Sequence, residues 1–211
     1  MSHGGVVVRA LVAVLALLLV SGCGTSDTGA PVTGVSTSDD DGYHGILLDK
    51  PYAVPAVSLT DTAGKPFALA DQPRRTLVFF GYTNCPDICQ VVMSTIASAL
   101  ARLSKGEQAR LQVVFVTTDP ARDTRPVLRT YLDRFNPSFI GVTGPLTGID
   151  TLGRALGIFI KKGQRLPSGG YEVDHSTEVV SVRGGAGDLV WTGATSPAEI
   201  SSDLTKILKA D

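Results

Sequence analysis

The chain has 211 residues, a formal net charge of −1 and 43% apolar residues. That length and apolar content suit one domain with extensions, and a near-neutral charge without a basic face points away from nucleic acid. Three cysteines are too few for a disulfide-stapled scaffold, so they are present for chemistry or by accident.

Residues 1–22 have the pattern of a signal peptide. Arg9 ends a weakly basic start, and residues 10–20 form an apolar run too short to be a stable membrane span. The following Val20-Ser21-Gly22-Cys23 resembles the lipobox of bacterial lipoproteins, in which the cysteine is lipidated and becomes the mature N-terminus. A multiply acylated Cys23 would hold the protein at a membrane surface in an oxidising, extracytoplasmic compartment. An ordinary secreted protein with Cys23 unpaired is the plainer alternative. Residues 24–41 are rich in Ser, Thr, Gly and Asp and read as a tether, so residues 23–47 are assigned to anchor and tether and 48–211 to the folded domain. His44, at the end of the tether, reads as a surface histidine.

Residues 56–60 and 65–69, around the turn Asp61-Thr62-Ala63-Gly64, predict a hairpin. Leu77-Val78-Phe79-Phe80 predicts a buried strand, and Ile88, Val92, Ile96, Ala99 and Leu103 predict a helix to about residue 104, with Gly106 as its stop. Residues 111–117 are a second buried strand. Arg125-Pro126 opens another helix, with Val127, Leu128, Tyr131, Leu132 and Phe135 on one face and Asn136-Pro137 ending it. A short strand at 139–142 follows. A helix is marked by Ile149, Leu152, Leu156 and Phe159, and a polar loop is expected over 161–170. Residues 177–182 and 189–192 predict two strands around the glycine-rich turn 183–188, which lacks the helix behind it that a phosphate loop requires. Ser196-Pro197-Ala198-Glu199 is a capping-box pattern opening a last helix on Ile200, Leu204, Ile207 and Leu208. Strand–helix–strand alternation implies a parallel pair, and the closing hairpin adds antiparallel strands. With a cysteine pair after the first core strand, the pattern is an α/β, thioredoxin-like fold: a mixed central sheet flanked by helices, with an N-terminal hairpin extension.

The chemistry gathers at Cys85 and Cys89, on the strand-to-helix turn Gly81-Tyr82-Thr83-Asn84-Cys85-Pro86-Asp87-Ile88-Cys89. If the first turn is helical from Cys85, both sulfurs share a face and the helix N-terminus favours their thiolates. A redox disulfide, a peroxidatic thiol and a metal site all suit such a pair. The gap is Cys-x-x-x-Cys, one residue wider than the usual redox motif, and Cβ atoms four apart in a helix stand roughly 5–6 Å from each other. A disulfide wants about 3.5–4.5 Å, so the spacing favours a metal while still permitting a transient disulfide. His175, in Val173-Asp174-His175-Ser176-Thr177, is the candidate third ligand, its plainer reading being a solvent-facing loop residue. Two thiolates and an imidazole make a soft set suited to copper as Cu(I), with zinc open if a carboxylate completes four ligands. Asp119 is a candidate to bias the site electrostatically. Asp87 reads first as compensation of the helix dipole and Asp123 as a cap for the next helix. Arg122, Arg125, Arg129 and Arg134 read as a solvated helix face, and Trp191 as core or sheet edge.

The cysteine turn, the segment Thr118-Asp119-Pro120-Ala121-Arg122-Asp123-Thr124 and the segment Tyr171-Glu172-Val173-Asp174-His175-Ser176 together resemble the SCO/SenC family of copper-binding assembly factors, in the same order, over about residues 56–209. The resemblance implies a thioredoxin fold and membrane tethering. It implies copper, as Cu(I) or Cu(II), held by Cys85, Cys89 and His175. The role would be a metallochaperone for the dinuclear copper centre of cytochrome c oxidase. Subunit II or another copper-accepting protein and a thiol reductant would be its partners, at the extracytoplasmic face of the cell membrane. That role is not an enzyme's. The alternative is a thiol–disulfide oxidoreductase that reduces the acceptor's cysteines, with Cys85 and Cys89 as the redox-active pair. One residue departs from the family: Gln90 stands where proline usually follows the second cysteine, which restores a backbone N–H beside Cys89.

Overall fold

Two strands carry the fold. β4 (Arg75–Gly81) and β5 (Leu111–Thr117) pair in parallel with a one-to-one register from Arg75↔Leu111 to Gly81↔Thr117, and every position of both is buried. Runs such as Leu77-Val78-Phe79-Phe80 are apolar throughout because a parallel sheet is covered on both faces. The computed structural model describes residues 42–165 and 171–211, with the backbone alone for 162–165 and 171–175.

Around this pair, in chain order, are β1 (Ile46–Ala53), the hairpin β2 (Ser58–Asp61) and β3 (Pro66–Ala68), β6 (Ile140–Thr143), β7 (Ile160–Arg165), β8 (Tyr171–His175), β9 (Val179–Arg183) and β10 (Ala186–Trp191). The helices are α1 (Ile88–Ala101), α2 (Lys105–Ala109), α3 (Arg125–Asp133), α4 (Leu146–Ala155) and α5 (Pro197–Ala210). Eight strands form one mixed sheet in the order β1-β10-β9-β4-β5-β6-β2-β3, and β7 and β8 form a separate antiparallel pair. The expected thioredoxin-like architecture is therefore present, with the predicted hairpin at one edge.

Alternation along β4 divides the core. Leu77 and Phe79 face α1, α3 and α5 in one cluster, which also contains Cys85 and Cys89, while Val78 and Phe80 face α4 and the hairpin in another. The chain enters this frame through a buried carboxylate. Asp203 on α5 accepts the His44 and Gly45 amides and the Trp191 indole N–H, the last at 2.8 Å. His44 is a surface histidine as expected, with its side chain 45% exposed, but its Nδ1 lies 2.9 Å from Asp203 Oδ1.

Four expectations need correction. The helix after the cysteines ends at Ala101, and Gly106 lies inside α2 instead of stopping it. Ser104 and Glu107 form a reciprocal capping box that starts α2, a stronger local signal than one exposed glycine. β1 was not anticipated; it pairs with β10 through an irregular register between Leu47 and Tyr52, which blurs its alternation. Phe159 lies beyond α4 and is 65% exposed. The polar segment expected as a loop forms β7 and β8, held by a backbone ladder from Ile160↔His175 to Arg165↔Tyr171 that needs no apolar alternation. Among the described residues no helix is long and apolar enough to cross a membrane.

Candidate metal centre

β4 delivers the chain to the cysteine turn at Gly81, and the packing there leaves no room for a side chain. A Cβ on Gly81 would lie 3.0 Å from both Phe115 Cε2 and Phe79 Cε1, and 3.1 Å from Cys89 Sγ. The turn is closed by the Cys85 amide donating to Tyr82 O at 3.2 Å. Helix α1 begins at Ile88, as the apolar period predicts, so Cys85 lies outside it and the condition of a helical turn from Cys85 is not met. The sulfurs nevertheless meet. Asp87 occupies the N-cap position with φ −133° and ψ −71° and makes no side-chain cap bond. The Cys89 amide donates instead to Cys85 Sγ at 3.4 Å, so a thiol sulfur satisfies one of the open donors of the helix start.

Both cysteines are reduced and buried, Cys85 at 6% exposure and Cys89 at 0%. The hydrogen bond to Cys85, and then burial, push the Cys89 thiol far above its ordinary range. The helix start alone therefore does not make Cys89 a thiolate. A soft cation shared by both sulfurs would supply the missing charge and release the protons. Tyr131 closes the site from α3. Its ring is buried, its hydroxyl has no hydrogen-bond partner among the described residues, and burial followed by the nearby thiols raises its titration.

The acidic residues divide differently from expectation. Asp123 does not cap α3, whose N-cap is Thr124 and whose first turn holds Pro126. Its fully buried carboxylate accepts the Thr83 amide at 2.9 Å, the Thr83 hydroxyl at 2.5 Å and the Thr117 hydroxyl at 2.7 Å. Burial raises its titration, and the threonine bonds oppose that. The signal lay in two threonines, Thr117 closing β5 and Thr83 two residues past the end of the parallel strand β4, each needing a partner. Asp119 is buried just past the end of β5 and takes an ion pair from Arg122. Asp87 is exposed. The arginines are not one solvated face: Arg122 lies 5.9 Å from the Tyr82 ring centroid, Arg129 bonds Asp133 and Phe139 O, and Arg134 lies 4.7 Å from the Tyr131 ring centroid. Trp191 is core. Gln90 is exposed on the first turn of α1.

His175 ends β8. The chain then returns through Ser176, whose amide donates to Phe159 O at 3.1 Å, into β9, where Val179 lies opposite Phe79 of β4. Because β9 runs antiparallel to β4, it begins at the end of the sheet where β4 gives way to the cysteine turn. The His175 side chain and Cys23 lie outside the described residues. Among the described residues, no group of three or more Cys, His, Asp or Glu side chains gathers as a metal site.

A SCO1/SenC family model matches residues 49–209. A Stutzerimonas stutzeri protein named for copper binding is 36% identical over 139 residues, which are 65% of this chain and 67% of the relative. The apo Sco1 structure from Thermus thermophilus aligns with a TM-score of 0.70 and 32% identity, covering 78% of this chain and 96% of that one. Yeast Sco1, solved with copper bound, aligns with a TM-score of 0.69 and 27% identity, covering 76% and 91%. The matches to the yeast mitochondrial relatives span less than half of those proteins' length.

Proposed function

Because the chain belongs to the SCO1/SenC family, we propose that it is a copper carrier in which Cys85 and Cys89 hold Cu(I) as thiolates and His175 closes a three-coordinate site. The observation that carries this reading is the meeting of the two sulfurs at the start of α1, joined by the Cys89 amide on Cys85 Sγ and buried from water. Two soft donors in a site that excludes water select a soft ion, and the reluctance of Cys89 to ionise alone makes the ion itself the driver of its deprotonation. His175 is the third donor on this reading, supported by the backbone that returns it to the same end of the sheet. Copper solved in yeast Sco1 gives the same cargo for a related fold.

The acceptor on this reading is a copper-binding protein with its own thiolates, subunit II of cytochrome c oxidase being the one the family resemblance implies. Burial of both sulfurs means that copper leaves by ligand exchange during direct contact and not by release to solvent. Residues 1–22 serve as a signal peptide, and acylated Cys23 holds the domain at the extracytoplasmic face of the cell membrane. The reductase alternative, in which Cys85 and Cys89 cycle through a disulfide to reduce the acceptor, makes a different prediction for His175.

Anaerobic titration of the reduced protein with Cu(I), in competition with a chelator, separates them. Wild type takes up one equivalent, and His175→Ala binds at least tenfold more weakly, about 1.4 kcal/mol. No uptake by wild type, or equal affinity in the variant, sinks the carrier reading. Fractionation of cells expressing Cys23→Ala should find the protein released from membranes; retention there defeats the lipid anchor.

A further inference from the structure

We propose that Asp123 is a positioning residue that clasps the cysteine loop to the end of β5 and so holds the dithiol open for a metal ion, against closure of a Cys85–Cys89 disulfide. This deepens the copper-carrier reading and depends on that reading only for the identity of the cargo.

Both cysteines are free, and Cys85 Sγ accepts the Cys89 amide at 3.4 Å, an arrangement that a sulfur–sulfur bond of about 2.05 Å with its fixed dihedral would have to replace. One of the two cysteines has to travel. Cys89 is fixed: it is part of α1, fully buried, and seated against the backbone at Gly81. Cys85 precedes the helix, so the turn that carries it is the part able to move. Asp123 holds that turn through Thr83. Thr83, two residues ahead of Cys85, gives both its amide and its hydroxyl to the Asp123 carboxylate, at 2.9 and 2.5 Å. Bonds to a carboxylate are the stronger class of hydrogen bond, and two from one residue fix orientation as well as distance.

The clasp is itself anchored. Asp123 Oδ2 also accepts the hydroxyl of Thr117, the last residue of a wholly buried strand, and the Asp123 amide donates to Asp119 O at 2.9 Å. Thr117 Oγ1 in turn accepts the Asp119 amide at 2.9 Å. Next to it, the Thr118 amide donates to Gly81 O at 2.7 Å, so the ends of β4 and β5 are locked together beside the loop. Among the described residues the three donors on the carboxylate are neutral, and α3 begins without help from it, at Arg125 behind its N-cap Thr124. A carboxylate buried in this way costs stability, and what it holds in return is the loop of Cys85. A metal ion tolerates the open gap because two metal–sulfur bonds of about 2.3 Å span it, whereas one sulfur–sulfur bond does not.

The test equilibrates the full-length protein, in a Cys23→Ala background that leaves two thiols, with glutathione buffers of graded potential. The dithiol fraction is read by alkylation and mass. Asp123→Ala should move the equilibrium about tenfold toward the disulfide, which is about 30 mV more negative. Asp123→Asn keeps an oxygen for the Thr83 amide and Thr117 hydroxyl and offers an N–H to Thr83 Oγ1, so it should return to within about threefold of wild type. Thr83→Val, which loses one of the two loop bonds, should fall between them. A fold-level role alone lowers stability without moving the potential. An unshifted Asp123→Ala, or an Asp123→Asn as displaced as the alanine, overturns the clasp. If Asp123→Ala does not fold, Thr83→Val decides, and no shift there overturns it. None of these readings uses copper, so failure to bind copper would count against the carrier and leave the clasp to stand or fall on the potential.

Discussion

At the scale of single residues, Gly81 and Cys89 are one packing unit. The glycine's backbone is in ordinary territory, since its φ is not positive, so its identity is set by space and not by conformation. A methyl group there would press on Phe115, Phe79 and the Cys89 sulfur, all at 3.0 to 3.1 Å. None of these can retreat easily: both rings are fully buried and the sulfur is held at the start of α1. Gly81→Ala should therefore cost about 1–3 kcal/mol in chemical denaturation, the usual cost of an added carbon in a filled core. Because part of the pressure falls on a sulfur, Cu(I) affinity should fall alongside stability. An alanine variant as stable as wild type would mean that the neighbours repack and that Gly81 is not holding the sulfur in place.

At the scale of elements, what the sequence disclosed depended on how its signals were carried. β4, β5 and α5 were legible because burial wrote them directly: seven consecutive buried positions in each strand, and a capping box with proline ahead of an apolar stripe. The cysteine pair was legible because spacing is a sequence property. β7 and β8 were not, since their cohesion lies in backbone hydrogen bonds between segments whose residues, Lys161 and Lys162 among them, carry no apolar alternation. The break between α1 and α2 was concealed because helical periodicity continues through Leu103, while the restart depends on one reciprocal bond pair between Ser104 and Glu107. Asp123 was misread for a related reason. Next to a helix start, capping is the local interpretation of an aspartate, yet its partners, Thr83 and Thr117, arrive by tertiary pairing of β4 with β5. Local pattern gave the two cysteines, and only the register of the sheet brought Asp123 to the loop that carries Cys85.

At the scale of the whole molecule, the two ends of β4 do different work. One end releases the chain into the cysteine turn. The other, about 20 Å away for seven residues of strand, begins with Arg75, which is buried and closes the opposite pole. Its guanidinium donates to Asp188 and Ser181 through one nitrogen and to the Asp211 carboxylate through the other two, at 3.0 and 2.7 Å. Arg183 adds a further bond to Asp211 at 2.8 Å. β4, β9, β10 and the end of α5 are thereby joined by one cation. The hydrogen bond from Arg75 holds the Asp211 carboxyl below the ordinary carboxylate range, with burial opposing it. A carboxyl depressed in the folded state gives up stability as pH falls: its contribution is complete above the unfolded value of about 3.9 and lost as pH drops through the lower folded value. Asp211→Asn should accordingly be less stable than wild type by about 2 kcal/mol at pH 7, the scale of hydrogen bonds to a charged group. The gap should stay near that size at pH 5 and shrink toward zero as the pH falls below the wild-type Asp211 value, because protonation then does to wild type what the substitution did. Urea denaturation of both proteins at pH 7, 5 and 3 checks this, and a gap as large at pH 3 as at pH 7 would show that Asp211 acts through packing and not through its charge. The cysteine end supplies the internal control. Asp211 lies at the other pole of β4 from Thr83 and Asp123, so the dithiol–disulfide potential of Asp211→Asn at pH 7 should equal that of wild type even as its stability falls.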